Sequence, residues 1–330
     1  MKEEAKVTGR AIGSVVPVAD WSTPEISADP AVPARAVHQR GGPYRQLAAF
    51  LSLVKPRVIA LLLVTTAASM AVAAGGFPAP GLLAWTLLGG AFGAAGANAI
   101  NCWLDRDIDA IMSRTAQRAI PAGTLAPAVA LCFGVLLGAA SFVVLATFVN
   151  LLAAALTLAA LVFYVVVYTG WLKRSSAQNI VIGGAAGAVP PLVGWAAVTG
   201  ELSLLAVYLF AVVFYWTPPH FWALALLMEE DYRRARVPML PVVRGERETR
   251  EQILLYSIAL VAMTVVVYAA GLLGAIYLAA ALTLGAVFIG YALRLMATGT
   301  RAAARSLFKY SIVYLAVLFA AMVLDRVLRL

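Results

Sequence analysis

Three oxygen-bearing side chains recur at four-residue intervals where a long apolar segment ends. Asn101, Asp105 and Asp109 stand at positions i, i+4 and i+8, so on a helix they lie on one face over two turns. Carboxylate and amide oxygens suit Mg²⁺, which usually completes its coordination with water and phosphate oxygens. The spacing predicts a site for magnesium and a diphosphate substrate. The alternative is a solvated helix end with scattered ion pairs.

Arginines follow this acidic stripe in the same segment. Arg114 and Arg118 offer the fixed cations that a diphosphate needs beside its metal ion. Asp107 lies off the face of the stripe by the same helical geometry. We expect Asp107 to pair with Arg106 or Arg114.

A second basic segment, which follows a later apolar run, contains Tyr168, Lys173 and Arg174. The two cations could clamp a diphosphate or a propionate. They could equally reflect the positive charge that cytoplasmic loops of membrane proteins carry. The residues alone leave both interpretations open.

A third segment combines aromatic side chains with a histidine inside an apolar run. Trp216 and Phe221 flank His220, and Asp231 follows on the same helical face as His220. We expect the adjacent prolines, 218–219, to break the helix and free backbone carbonyls. A histidine between aromatic rings suits a flat aromatic ligand, as axial ligand, base or packing partner. A satisfied core histidine is the alternative.

The composition predicts that a membrane positions these side chains. The chain has 330 residues, of which 62% are hydrophobic and 12% charged, and its mean hydropathy is +0.88. A spanning helix needs about 20 mostly apolar residues, and the runs do not alternate as barrel strands do. We therefore predict an all-α polytopic bundle of nine transmembrane helices around a central cavity, at roughly 55–75, 81–103, 126–146, 150–171, 178–199, 204–228, 252–271, 275–295 and 307–327.

The loops indicate how the bundle is oriented. Loops after the second, fourth, sixth and eighth spans carry Lys and Arg, whereas the intervening loops carry neither. The positive-inside rule places the basic loops and the N-terminus in the cytoplasm, which also accounts for the net charge of +9 without nucleic acid. We expect residues 1–44 to form a disordered cytoplasmic tail, and 45–330 to form the membrane domain.

These motifs resemble those of a known protein family. The stripe of Asn101, Asp105 and Asp109 resembles the first aspartate-rich motif of the UbiA prenyltransferase superfamily. Over about 46–327, longer motifs are similar in order and spacing to the branch of that superfamily that farnesylates protoheme IX. They are Lys55-Pro56-Arg57, Asn101-Cys102 with Asp105-Arg106-Asp107-Ile108-Asp109, Tyr168-Thr169 with Leu172-Lys173-Arg174, Thr217-Pro218-Pro219-His220-Phe221-Trp222-Ala223-Leu224, and Asp231-Tyr232 with Val237-Pro238-Met239-Leu240-Pro241-Val242-Val243.

The resemblance implies an activity and a set of roles. The acidic stripe would hold Mg²⁺ and farnesyl diphosphate, Lys173 and Arg174 would steady the diphosphate, and His220 would lie at the haem side. A haem vinyl group would attack the farnesyl cation to give haem o. Aromatic side chains would shield that cation, and an arginine at the rim would hold the haem propionates; the candidates are Tyr168, Trp216 and Phe221 for shielding and Arg57 for the propionates.

The sequence departs from the family pattern at two places. Ala119 stands where the family has proline, and no second Asp-xxx-Asp motif is present in the sixth span, where His220 stands instead. The resemblance also implies a location in the bacterial inner membrane, lipid contact, and encounters with haem a synthase or oxidase assembly proteins. Three alternatives stay open: another aromatic acceptor, a transporter, and a haem-handling assembly factor without catalytic activity.

Overall fold

Every regular element that the structure describes is a helix. The structure is a computed structural model that describes residues 43–328, so most of the predicted tail lies outside it. The elements are α1 (Pro43–Val54), α2 (Pro56–Ala74), α3 (Pro80–Leu104), α4 (Arg106–Ile111), α5 (Pro127–Phe148), α6 (Leu151–Val162), a π-helix (Phe163–Leu172), α7 (Lys173–Ser175), α8 (Asn179–Ala188), α9 (Pro190–Thr199), α10 (Leu204–Leu227), α11 (Glu229–Arg234), α12 (Leu240–Ala269), α13 (Ala275–Thr298) and α14 (Arg301–Leu328).

The prediction of nine spans is confirmed for residues 43–328. Nine helical stretches there are long and apolar enough to cross a membrane, and their bounds follow the predicted ones. The fourth span joins α6, the π-helix and α7, and the fifth joins α8 and α9. The largest difference is at α12, which begins at Leu240 rather than near 252. The charged segment before the apolar run is also helical, apart from a kink at Gly245, where φ is 83°.

The four basic loops meet on one face of the bundle. Lys173 reaches Asp105, Ser113 reaches Asp231, and Arg301 donates to the Leu227 carbonyl at 2.5 Å. These contacts join the regions that follow the second, fourth, sixth and eighth spans. The common face agrees with the loop pattern, and its cytoplasmic location remains a prediction, as does the central cavity.

Small residues let α3, which carries the acidic stripe, pack closely against its neighbour α5. A methyl group on Gly96 would lie 2.7 Å from the Gly134 carbonyl oxygen, and one on Gly134 would lie 3.0 Å from the Gly96 carbonyl oxygen. Helices in membranes associate through such close backbone contact. The packing fixes the position of the α3 end relative to the rest of the bundle.

The sixth span is one continuous helix, so the predicted break at the two prolines is wrong. α10 runs from Leu204 to Leu227 through Pro218 and Pro219. Proline has no backbone N–H, so the carbonyls of Phe214 and Tyr215 lose their usual donors. Membrane helices tolerate this where neighbouring helices surround the site, and α10 packs against α8, α12 and α14.

A carboxylate caps α13 at the opposite end of the bundle. Asp325 of α14 is buried and accepts from the backbone N–H groups of Gly274 at 2.6 Å and Tyr277 at 3.1 Å. We expect Asp325→Ala to lower the free energy of unfolding by about 1–3 kcal/mol, because two buried donors lose their acceptor. Thermal unfolding in detergent measures this change. Asp325→Asn, which keeps one acceptor oxygen, should lose less, and equal losses would contradict the capping role.

Candidate active site

The acidic stripe of Asn101, Asp105 and Asp109 continues across the junction between α3 and α4. α3 ends at Leu104 and α4 begins at Arg106, with Asp105 between them. The backbone bonds from Asp105 N to Asn101 O, at 2.9 Å, and from Asp109 N to Asp105 O, at 2.7 Å, continue the helical pattern across it. Asn101, Asp105 and Asp109 are all buried, with Asp105 fully so. The three side chains therefore form one buried polar row, as the spacing predicts.

Asp105 lies at the centre of this row. Its Oδ2 accepts from the Lys173 ammonium and from the Asn101 amide, the latter at 2.7 Å. Its Oδ1 has no hydrogen-bond partner among residues 43–328, and the Arg174 guanidinium lies 3.9 Å from it. A buried carboxylate oxygen without a partner is costly, so this atom is the point of the site best prepared for a further cation.

Asp109 is held by a second cation. Arg118 donates from a single nitrogen, Nη1, to both carboxylate oxygens at 2.8 and 2.7 Å, a charge-assisted contact. Burial works against the charge of Arg118, but the Asp109 carboxylate outweighs it and raises the pKa of the guanidinium. Arg118 thus stays charged beside the row.

Lys55 is a part of the site that the sequence analysis did not select. Its ammonium donates to Asn101 Oδ1 at 2.8 Å, and burial lowers the pKa of Lys55 to about 8. The backbone of Lys55 is left-handed, with φ of 55°, directly before Pro56 starts α2, a conformation that costs energy for a residue other than glycine. The sequence does contain a signal for this residue. Lys55 directly precedes the proline that starts a span, and it belongs to the Lys55-Pro56-Arg57 motif.

A π-helix presents the second basic segment to the stripe. In Phe163–Leu172, the Thr169 hydroxyl donates to the Tyr164 carbonyl at 2.8 Å and accepts from the Asn101 amide at 3.2 Å. Asn101 therefore donates to Asp105 and Thr169, which directs its amide oxygen toward Lys55. Such π-segments are rare and occur often at functional sites. The sequence analysis predicted a plain α-helix here.

Tyr168 lies against a glycine of α8. A methyl group on Gly183 would be 2.2 Å from Tyr168 Cδ2, so Gly183→Ala must displace the ring. Overpacking of this kind typically costs about 1–3 kcal/mol, and we expect kcat/KM for the prenyl donor to fall roughly 10-fold. Steady-state kinetics with Gly187→Ala as the control tests this, because that site, one turn further along α8, has open space. Equal activity in the two variants would remove Tyr168 from the site.

The predicted partner of Asp107 is wrong. Asp107 pairs with Arg174, at 2.7 and 2.8 Å, and not with Arg106 or Arg114. The hydrogen bond from Arg174 lowers the pKa of Asp107 to about 2. This pair borders an open cavity of about 300 Å³ that Leu104, Arg106 and Gly170 also line. Arg174 consequently lies at the rim, one residue beyond the partly buried Lys173.

Asp231 connects the segment after the sixth span to Ser113 in the segment after the second span, instead of joining the row. It accepts from the Ser113 hydroxyl at 3.0 and 2.8 Å, from the Ser113 backbone N–H at 3.3 Å, and from Arg234. Burial opposes the ionised form, but the Ser113 and Arg234 bonds outweigh it and lower the pKa of Asp231. Asp231 borders a cavity of about 490 Å³. Its assignment to substrate binding remains a prediction.

The remaining predicted residues lie apart from the row. Arg57 and Arg114 are exposed, and no hydrogen bond or ion pair joins either of them to another residue in 43–328. His220 contacts α14: its ring stacks with Trp216 and Phe308, and its Nδ1 is 2.7 Å from Ser311 Oγ. Phe221 lies edge-on to His220 and is 36% exposed. His220, Trp216 and Phe221 thus lie together near the seam of α10 and α14, and their roles remain predictions.

Comparison with known proteins agrees with this arrangement. The model of the UbiA prenyltransferase family matches residues 62–320. The chain belongs to this family. A relative from Gloeobacter violaceus, named protoheme IX farnesyltransferase, is 56% identical over 84% of this chain and 92% of its own length. Another of that name, from Roseiflexus sp. RS-1, is 54% identical over 84% of this chain, which spans 52% of the Roseiflexus protein.

Solved structures show the same fold. A digeranylgeranylglyceryl phosphate synthase has a TM-score of 0.71 at 18% identity, covering 86% of this chain and 99% of its own. A UbiA homologue from Archaeoglobus fulgidus, bound to DMAPP and Mg²⁺, has a TM-score of 0.62 at 17% identity, covering 83% and 98%. The all-helical UbiA fold makes this chain a multi-pass membrane protein.

The acidic row of this UbiA-family protein has the donor chemistry for Mg²⁺. Asp105, Asp109 and Asn101 supply carboxylate and amide oxygens, and the unpartnered Asp105 Oδ1 is ready for a cation. Within 43–328, no group of three or more His, Cys, Asp or Glu side chains gathers around one point. Proteins usually bind Mg²⁺ through one or two carboxylates, and phosphate oxygens and water complete its coordination. The residues therefore fit the ion without a third carboxylate.

Proposed function

We propose that this UbiA-family protein transfers a farnesyl group from farnesyl diphosphate to a vinyl group of protoheme IX, giving haem o. The buried row of Asp105, Asp109 and Asn101, surrounded by cations at the end of the spans, is the observation that carries the proposal. The name and near full-length coverage of the Gloeobacter relative support haem as the acceptor.

The cations that now neutralise the row are the natural partners of a diphosphate. Lys55, Lys173 and Arg118 each donate to an oxygen of the row. These donors would bind the phosphate oxygens of the diphosphate. Asn101, Asp105 and Asp109 would hold Mg²⁺, which would supply charge stabilisation to the departing diphosphate.

The reaction breaks the bond between farnesyl C1 and the diphosphate oxygen. The lysine and arginine side chains stabilise the negative charge that develops on the leaving group. The electron-rich vinyl group of haem attacks C1, and water then adds to the cation formed on the porphyrin side chain, giving a hydroxyethylfarnesyl group and one proton. Tyr168, which lies beside the row on the π-helix, shields the allylic cation through its ring.

The haem side of the site lies at the seam of α10 and α14. His220 faces the acceptor there, with Trp216 and Phe221 as its aromatic neighbours. Arg57 holds a haem propionate at the rim, and Arg114 adds positive charge for the diphosphate. Asp231 maintains the loop geometry through Ser113.

The remaining parts of the proposal concern location and partners. Residues 45–330 form the membrane domain, which α1 extends to Pro43; residues 1–42 of the predicted tail lie outside the description. The protein belongs in a bacterial inner membrane with its basic face in the cytoplasm. Haem a synthase and oxidase assembly proteins receive the product.

The test uses the full chain in lipid nanodiscs with farnesyl diphosphate, haem b and Mg²⁺. Mass analysis should find haem enlarged by a hydroxyethylfarnesyl group, and diphosphate should be released in equal amount. A phenolic acceptor that reacts in place of haem would favour the alternative acceptor. Flux of substrate across vesicles without cleavage would favour a transporter, and haem binding without turnover would favour an assembly factor.

Metal removal gives a further expected result. Chelation with EDTA should lower turnover at least about 100-fold, because the diphosphate then loses its principal charge stabilisation. Adding Mg²⁺ back should restore activity, whereas added Na⁺ at equal ionic strength should not. Unchanged turnover in EDTA would contradict the magnesium assignment.

A further inference from the structure

The His220 ring is held on both faces and at one edge. Trp216 stacks on one face with ring centroids 4.3 Å apart, and Phe308 stacks with centroids 4.8 Å apart. Nδ1 of the ring is 2.7 Å from Ser311 Oγ. The Trp216 indole N–H donates to the Ser311 backbone carbonyl at 2.7 Å. One residue of α14 therefore anchors both His220 and the ring stacked on it.

The Ser311 hydroxyl has one hydrogen to donate and two acceptors at the same distance. Its Oγ lies 2.7 Å from the Phe308 carbonyl oxygen, within its own helix, and 2.7 Å from Nδ1 of His220. When the hydroxyl donates to the Phe308 carbonyl, its oxygen can only accept from His220. Nδ1 then carries the imidazole hydrogen, and Nε2 carries the lone pair.

Nε2 is left open by this arrangement. Within 43–328 no hydrogen bond reaches it, and it is not among the buried side-chain atoms that lack a partner. His220 precedes the last residue of α10 by one and a half to two turns, roughly 10 Å at 1.5 Å per residue. Nε2 is thus the ring nitrogen that remains for a ligand, at a depth of about two helical turns below the basic face of the bundle.

We infer that Ser311 is a positioning residue, which fixes the His220 tautomer so that Nε2 coordinates the iron of the acceptor haem. Neutral imidazole binds iron through a bare ring nitrogen, and a hydrogen bond at the other nitrogen sets which one is bare. Coordination through Nε2 places the porphyrin plane across the edge of the imidazole ring. It thereby restricts where the vinyl groups of the haem lie. This inference rests on the proposed function only for the identity of the haem ligand.

The tautomer itself can be measured without substrate. The chain contains two histidines, so ¹⁵N-histidine labelling of full-length His38→Gln in nanodiscs leaves only His220 visible to NMR. The inference expects a protonated Nδ1 and an unprotonated Nε2. In Ser311→Ala the two tautomers should mix, and in Ser311→Thr the original one should return. An Nε2-protonated ring in the unsubstituted site would overturn the inference, whatever the enzyme's activity.

Haem binding provides a second test of the inference. Titration with haem b, followed by the Soret band, should show affinity about 10–100-fold lower in Ser311→Ala and near wild type in Ser311→Thr. The matched control is Ser257→Ala, a buried serine of α12 whose hydroxyl bonds only the Ile253 carbonyl. Equal losses in the two alanine variants would reduce Ser311 to a packing role and overturn the inference.

Kinetics separate this inference from the proposed function. In Ser311→Ala the KM for haem should rise while the KM for farnesyl diphosphate stays unchanged. A wild-type protein that binds haem with the expected tautomer but forms no haem o would refute the proposed function and leave the His220 geometry intact. Normal haem o synthesis with an unchanged KM for haem in Ser311→Ala would refute the inference alone.

Discussion

Asp105→Asn should lower kcat/KM for farnesyl transfer by roughly 10³-fold or more, comparable to the loss of a central charge-stabilising group in other enzymes. Asp105 is fully buried, it joins Asn101 to Lys173, and its Oδ1 is the open position for a cation. The amide keeps the shape of the side chain but removes its charge. The measurement is haem o formation by purified protein in nanodiscs.

Asp107→Asn is the matched control for this variant. Asp107 stands two residues away, its side chain is 60% exposed, and it pairs with Arg174 at the rim. Exposed ion pairs contribute roughly 0–1 kcal/mol, so we expect less than about a 5-fold change in kcat/KM. Similar losses at the two positions would show that the loop, and not the buried carboxylate, is being perturbed.

Loss of folding must be separated from loss of chemistry. Removing one member of a buried ion pair leaves the other uncompensated, at a cost of about 3–5 kcal/mol. Combining Asp105→Asn with Lys173→Met removes both charges, so the double variant should regain much of the lost thermal stability. Its activity should remain as low as that of Asp105→Asn. Recovery of activity together with stability would contradict a catalytic role for the pair.

The features that follow from local geometry were predictable from the sequence. The spans depend on the length of apolar runs, which a bilayer dictates. The row of Asn101, Asp105 and Asp109 depends on helical spacing, and it survives because backbone bonds bridge the junction at Asp105. Each prediction needed only residues within a few turns of one another.

The features that depend on distant parts of the chain were not predictable in the same way. Lys55 joins the row because α2 and α3 bring it to Asn101, and no local pattern encodes that contact. Asp107 pairs with Arg174, and not with the arginines nearer to it in the sequence, because the π-helix and α7 place the Arg174 side chain beside it. Propensity alone argues against a helix through Pro218, and the surrounding helices decide otherwise.

Lys173→Met should lower kcat/KM by roughly 10²–10³-fold, because the leaving diphosphate loses a preorganised cation. The Lys173 side chain is 15% exposed and contacts Asp105, whereas the adjacent Arg174 is 38% exposed and engages Asp107. The resemblance to the UbiA superfamily implies the same role for these two neighbours. The structure separates them: Lys173 hydrogen-bonds Asp105, whereas Arg174 hydrogen-bonds Asp107 and lies 3.9 Å from Asp105 Oδ1.

Arg174→Met is therefore the control that decides between a specific site and a generally basic loop. It removes the same charge one residue further along, and we expect less than about a 5-fold change because its partner is exposed. Lys173→Arg should retain part of the activity, since it keeps the charge but not the compact ammonium that fits beside Asp105. The assay is diphosphate release at saturating haem, with KM for farnesyl diphosphate measured separately. If the two methionine variants lose activity equally, the positive face acts as a whole and the individual assignment of Lys173 fails.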